Sequence, residues 1–286
     1  MSAGAAPARQ RRFAQVDVFT AQPLRGNPLA VVIDGDGLSD AAMAAFARWT
    51  NLSETTFLLP PTNPEADYRV RIFTPGGELP FAGHPTLGSA WAWLQAGHTP
   101  RDPGQLVQQC EVGLVPVRRE ATGRLAFAAP PTSEHPVEAD VLQRALAALG
   151  LRREQVLAAA WLSNGFPQLA LELDSAASVL ALEPDHAAVK PIGKIGVVGR
   201  HAAGHDADVE VRFFAAPIGI NEDPVTGSLN ANLGHWLIGR QRLPARYVAA
   251  QGTRMDRDGR VFLEHDGRQL WVGGDVAGLI DGRVRL

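Results

Sequence analysis

At 286 residues, with 45% hydrophobic and 20% charged side chains, the chain has the composition of an ordinary globular protein and is long enough for one large domain or two of usual size. A net charge of -3 gives no electrostatic reason for a nucleic-acid partner or an anionic membrane. The single cysteine, Cys110, excludes an intrachain disulfide and a multi-cysteine metal centre. That cysteine usage makes a reducing, cytoplasmic compartment the expectation; the opening MSAGAAPARQRR has no apolar core of a signal peptide, and no apolar run approaches the roughly 18 residues that cross a bilayer.

Residues 1–12 read as a disordered tail. Alternation starts at Phe13, where FAQVDVF and, after a polar turn holding Arg25, Gly26 and Asn27, LAVVI predict two paired strands. Ser39 is placed to cap a short helix to about Trp49, with Leu38 and Met43 as a hydrophobic staple. Asn51-Leu52-Ser53-Glu54 then leads into the strand TTFLL, and Tyr68–Phe73 is a further strand. The glycine- and proline-rich loop after it runs into a helix predicted to begin at Pro85, with His84 as N-cap, because proline suits the first helical position. Leu87, Ala90, Trp91 and Leu94, with Gly88, Ala92 and Trp93 between them, make this helix apolar nearly all round, which places it in a core. The free amides of its first turn, expected on Thr86, Leu87 and Gly88, would sit at the positive end of the helix dipole as an anion site. Leu106–Val117 and Arg124–Phe127 read as strands.

Pro130-Pro131 and the polar TSEHP after them mark a linker, dividing the chain into lobes 13–130 and 131–286. Beyond it an amphipathic helix carries Val141, Leu142, Ala145, Leu146 and Leu149. Strands follow near 156–162 and 168–173, short helical pieces over 175–189, and strands at 194–198 and 208–214. The stretch EDPVTGSLNANLGHWL predicts a second buried helix, and short strands near Tyr247, Val261, Leu270 and Val284 close the chain. Strands outnumber helices without regular alternation, so the class is α+β. Arg71 and Phe73 before the first buried helix match Arg212 and Phe214 before the second. His84, Pro85, Gly88 and Ser89 match Asp223, Pro224, Gly227 and Ser228 at one offset of 139, which suggests two related lobes presenting helix starts to a shared cleft able to hold a carboxylate.

Three titratable residues stand out. Glu54 lies between two ordered elements, where partial burial would raise its pKa toward an acid/base value, although a solvated turn is the plainer reading. His84 and Asp223 are both read as helix caps; histidine is a poor cap, so it carries more functional information than the aspartate. Ser89 and Ser228 lack the strained Gly-x-Ser-x-Gly setting of a hydrolase nucleophile. His201 and His205 have Gly204 between them and no glutamate in a zinc-protease position, which predicts a solvated loop. GKIGVVGR is embedded in a strand and is not a dinucleotide fingerprint, and Cys110 reads as structural filler.

GNPLAVV, NLSETTF, PFAGHPTLG and EDPVTGS together resemble the phenazine-biosynthesis isomerase family (PhzF-like), relatives of diaminopimelate epimerase, from about Phe13 to the C-terminus. The resemblance implies two similar lobes, each a curved sheet or barrel around a central helix, with the active site between them and the last strand returning to the first lobe. It implies a cofactor-independent isomerase in which Glu54 shuttles a proton, His84 and Asp223 assist, and Ser53, Gly83, Gly227 and Ser228 line the substrate pocket, to which the helix-start reading adds Thr86 as a substrate-binding residue. The epimerase relatives use a pair of cysteines at these helix starts. This chain has none there, so cysteine-based racemisation is not expected. A homodimer acting on a small carboxylate, without metal, nucleic acid or membrane, is the implied working form. The alternatives are a noncatalytic carboxylate-binding protein of the same fold and, more remotely, an acyl-transfer hydrolase using Ser228. One departure is TRMDRDGRVFLEH after Gln251-Gly252, where relatives often show Gly-Arg-Pro-Ser; it places a difference at a pocket wall or a dimer contact.

Overall fold

The computed structural model describes residues 8–286. In chain order the first half contains β1 (Gln10–Val18), β2 (Asn27–Val32), α1 (Asp40–Thr50), β3 (Glu54–Leu59), β4 (Tyr68–Thr74), β5 (Gly77–Leu79), α2 (Gly83–Gln95), β6 (Gln105–Cys110), β7 (Gly113–Arg119) and β8 (Leu125–Ala128). The second contains β9 (Ser133–His135), α3 (Ala139–Leu149), β10 (Val156–Ser163), β11 (Pro167–Leu173), α4 (Ala176–Leu180), α5 (His186–Val189), β12 (Lys194–Arg200), β13 (Val209–Phe214), α6 (Gly227–Gly239), β14 (Arg246–Gln251), β15 (Gly259–His265), β16 (Leu270–Gly274) and β17 (Val276–Arg285).

The strand pairings repeat. In the first half β1 and β2 are antiparallel, β2 and β3 parallel, β3 and β4 antiparallel, β4 and β6 parallel, and β6, β7 and β8 successively antiparallel. The second half runs through the same alternation from β10 to β16: antiparallel, parallel, antiparallel, parallel, then two antiparallel steps. Each parallel step needs a crossover, and α2 and α6 fill the equivalent ones, between β4 and β6 and between β13 and β14. The last strands of the two repeats, β8 and β16, pair with each other, and β17 returns to pair with β1. This is the expected α+β class with two similar halves, each wrapped on a central helix.

The repeat extends to side chains. Arg71 makes a two-pronged ion pair with Glu78 and lies over the Phe73 ring, while Arg212 does the same with Glu222 and Phe214. The helix register differs from the expected one. Both buried helices have 13 residues, beginning at Gly83 and Gly227, 144 positions apart rather than 139. The N-caps are Ala82 and Thr226, so His84 lies inside the first turn of α2 and Asp223 lies three residues ahead of the α6 cap. The loops before the helices differ in length, and a gap-free alignment hides that. The Thr86 amide is already bonded to the Ala82 carbonyl at 3.2 Å, so the free donors of α2 begin earlier, at Gly83 and His84.

Other boundaries also move. Residues 1–7 of the expected tail lie outside the described residues, but Gln10–Arg12 belong to β1 and pair with β17. Arg11 is buried and Arg12 is bonded to Asp34, so three residues of the tail are sheet. The single strand expected over 106–117 is a hairpin, turned at Glu111-Val112 with Gly113 at φ 111°. His201 is not a solvated loop residue. It is largely buried, stacked on His205 at 3.6 Å between ring centres, with Nε2 3.1 Å from the buried Glu210 carboxylate. Ser39 caps α1 as expected, accepting from the Ala42 amide.

Candidate active site

The two central helices meet nose to nose. A Cβ on Gly83 would come within 3.1 Å of the Gly227 Cα and 2.8 Å of the Phe127 ring, and a Cβ on Gly227 within 3.1 Å of the Gly83 Cα. Only glycine permits this approach. Two sets of unpaired first-turn amides are therefore brought together, where their dipoles favour an anion.

Glu54 reaches this place from outside either helix. The αL residue Asn51 ends α1, and the chain reverses through Leu52 and Ser53 so that Glu54 opens β3, in parallel register with Leu29. Its carboxyl Oε2 lies 3.3 Å from His84 Nε2, with the side chains 16% and 7% exposed. The two atoms face each other without hydrogen-bond alignment, and neither has another partner among the described residues. Such a pair lacks a bonding partner that a substrate can supply. Burial pushes the Glu54 carboxyl up to about 8, with the Asp223 charge adding to the rise and the Lys194 ammonium opposing it. Burial pushes the His84 imidazole down to about 3. At neutral pH the pair is a neutral acid facing a neutral imidazole.

Asp223 is held differently. Its carboxylate accepts from Asn27 Nδ2 at 3.3 Å and from the Thr226 hydroxyl, and its backbone amide donates to the Phe213 carbonyl. Burial raises its pKa to about 6 against the opposing effect of these two hydrogen bonds. Gln251 ties the assembly together: Oε1 accepts from the Thr226 amide and from Asn230, and Nε2 donates to the Asp223 carbonyl and the Thr226 hydroxyl. The Arg212–Glu222 strut anchors the residue just before Asp223.

The remaining expected residues separate into two groups. Ser53 is half-buried beside Glu54, and Gly227 and Ser228 occupy the first turn of α6, where the Ser228 hydroxyl accepts from Gln168 Nε2 at 3.3 Å. Thr86, expected to bind substrate, instead has its amide and hydroxyl directed to the Ala82 carbonyl, while its oxygen accepts from Gln108. Its polar groups fasten the start of α2. Residues that the sequence reading missed are Asn27, Gln251 and Lys194. Asn27 stands inside the quoted GNPLAVV segment, and Lys194 is one of only two lysines among 27 basic residues; those were the available signals. Gln251 has no local signal, since only the fold brings it to α6. Among the described residues, no group of three or more His, Cys, Asp or Glu is arranged to hold a metal ion.

Residues 16–278 match the model of the PhzC-PhzF family, described as phenazine biosynthesis-like protein. The chain is 34% identical to antisense-enhancing sequence 1 of Schizosaccharomyces pombe, over 96% of this chain and 98% of that protein. It is also 34% identical to the trans-2,3-dihydro-3-hydroxyanthranilate isomerase of Pseudomonas aeruginosa, over 96% of this chain and 99% of that one. Among solved structures, a PhzF-family protein of Bacillus anthracis superposes with a TM-score of 0.83 at 22% identity, over 97% of this chain and 100% of that chain.

Proposed function

The chain belongs to the phenazine biosynthesis-like family, PhzC-PhzF, and from that premise we propose that it is a cofactor-independent isomerase moving a carbon-bound proton on a small carboxylate-bearing metabolite. The observation that carries this reading is the buried Glu54 carboxyl, 3.3 Å from the buried His84 imidazole at the meeting point of two helix starts. A carboxyl whose pKa is about 8 can act as base and acid near neutral pH without changing oxidation state.

In this mechanism the first-turn amides of α2 and α6 hold the substrate carboxylate, with Ser53, Gly83, Gly227 and Ser228 along the cleft between residues 13–130 and 131–286. The Glu54 carboxylate takes a proton from carbon, and the electron pair of that C–H bond moves into the conjugated system. Glu54, now the acid, returns the proton at another carbon of the same system. His84, 3.3 Å away, is placed to take up a share of the Glu54 proton as the bound substrate draws the pair into line, and Asp223, fixed by Asn27 and Thr226, orients the substrate from the second lobe. The working form in this reading is a cytoplasmic homodimer.

The test is incubation in deuterated solvent, beginning with trans-2,3-dihydro-3-hydroxyanthranilate, the compound in the name of the Pseudomonas relative, and extending to other unsaturated carboxylates. Deuterium entering at carbon with the wild-type protein and not with Glu54→Gln supports the reading. Undiminished exchange with Glu54→Gln removes Glu54 as carrier, and ligand binding without any exchange leaves a binding protein instead.

A further inference from the structure

Lys194 opens β12 in parallel register with Gln168 of β11, and residues paired this way project from the same face of a sheet. The Gln168 side chain bonds Ser228 and Asn232 of α6, so that face looks onto α6. Gly196, two residues along and therefore on the same face as Lys194, confirms the direction: a Cβ there would come within 2.4 Å of Leu229. The Lys194 side chain thus leaves the sheet beside the first turn of α6.

Its ammonium stands 4.7 Å from the centre of the Phe166 ring, whose face favours a cation. Among the described residues it makes no ion pair or hydrogen bond, although it is half-buried. From its place beside the first turn of α6 its charge is felt by both Glu54 and Asp223, yet neither carboxylate is within ion-pair distance. Its three N–H donors therefore have no protein acceptor among the described residues and are left to solvent, which a bound ligand would displace. Asp223 is already bonded by Asn27 and Thr226, and Glu54 faces His84. A substrate ammonium placed here would be repelled; an anionic oxygen would complete the lysine's bonding.

We propose that Lys194 is a specificity-determining residue that takes a second acid group of the substrate, which is accordingly a dianion, with one carboxylate at the paired helix starts and another anionic group beside Lys194 and Phe166. This rests on the isomerase reading for the placement of the first carboxylate.

The experiment is calorimetric binding of benzoate and of its three dicarboxylate analogues, phthalate, isophthalate and terephthalate, which present the second acid at three spacings. At least one dicarboxylate is expected to bind wild-type protein about tenfold or more tighter than benzoate, the gain of one charge-assisted contact. Lys194→Gln should abolish that preference, weakening the favoured dicarboxylate about tenfold more than benzoate, and Lys194→Arg should retain most of it. Thermal melting of each variant establishes folding, and the wild-type comparison is decisive even if a variant fails to fold. The proposal is overturned if no dicarboxylate exceeds benzoate, or if Lys194→Gln weakens all ligands equally. Failure of the isomerase reading shows separately, as ligand binding by the wild-type protein with no deuterium entering any candidate substrate at carbon.

Discussion

Replacing Glu54 with glutamine should change the pH dependence of stability as well as activity. In the unfolded chain this carboxyl titrates near 4.5, whereas in the folded protein burial holds its proton to about pH 8. Between those values the folded state retains a proton that the unfolded state has released, so stability must fall as pH rises through the window. At about 1.36 kcal/mol per pH unit, the full interval corresponds to roughly 5 kcal/mol, an upper figure because water penetration relieves part of it. Glutamine cannot ionise and lacks this slope. His84 works in the opposite direction: its imidazole, pushed down to about 3, makes stability rise with pH from there to about 6.5, but it does so in both proteins and cancels in their difference. Urea denaturation of wild type and Glu54→Gln at intervals from about pH 5 to pH 9 should show the variant gaining several kcal/mol relative to wild type by the alkaline end. The kinetic counterpart is a kcat/KM that rises with pH to a midpoint near 8, as the free carboxyl becomes a base. Parallel stability curves would refute the reasoning, because they would mean that Glu54 ionises in the folded protein as freely as in the unfolded one.

His84→Asn keeps a polar side chain but removes the imidazole facing Glu54; kcat should fall about a hundredfold with KM nearly unchanged, as read by steady-state kinetics. Gly83→Ala puts a methyl 2.8 Å from the Phe127 ring and 3.1 Å from the Gly227 Cα, which should cost about 1–3 kcal/mol in denaturant melts and separate the two helix starts enough to abolish activity. Asn27→Ala removes the donor to both Asp223 and the Val225 carbonyl, so a loss of about 1–3 kcal/mol is expected, with the Asp223 pKa rising further from about 6; carboxyl NMR titration follows the second effect.

What the sequence could reveal divides by the range of the interactions responsible. The α1 cap at Ser39 and the apolar girth of α2 are written in neighbouring residues, and both were legible from periodicity and cap chemistry. The repeat was legible only in part, because Arg71–Phe73 and Arg212–Phe214 mark equivalent strands while loops of unequal length shift the helix starts that follow. That error had a chemical consequence. Treating His84 and Asp223 as equivalent caps makes them a symmetric pair, whereas the fold gives them unlike settings, one inside a helix facing Glu54 and one in a loop bonded to Asn27 and Thr226. The strict counterparts across the pseudo-symmetry are Gly83 and Gly227, the residues whose backbones touch. Symmetry therefore accounts for the paired helix starts, and its breaking places a titratable carboxyl, Glu54, in one half and a cation, Lys194, in the other, the two unlike groups on which the proposed chemistry rests. Glu54 was nameable from its segment NLSETTF and Lys194 was not, but the environment of neither was legible, since each acquires it only when residues 140 positions apart, Glu54 on β3 and Lys194 on β12, come under one another's charge.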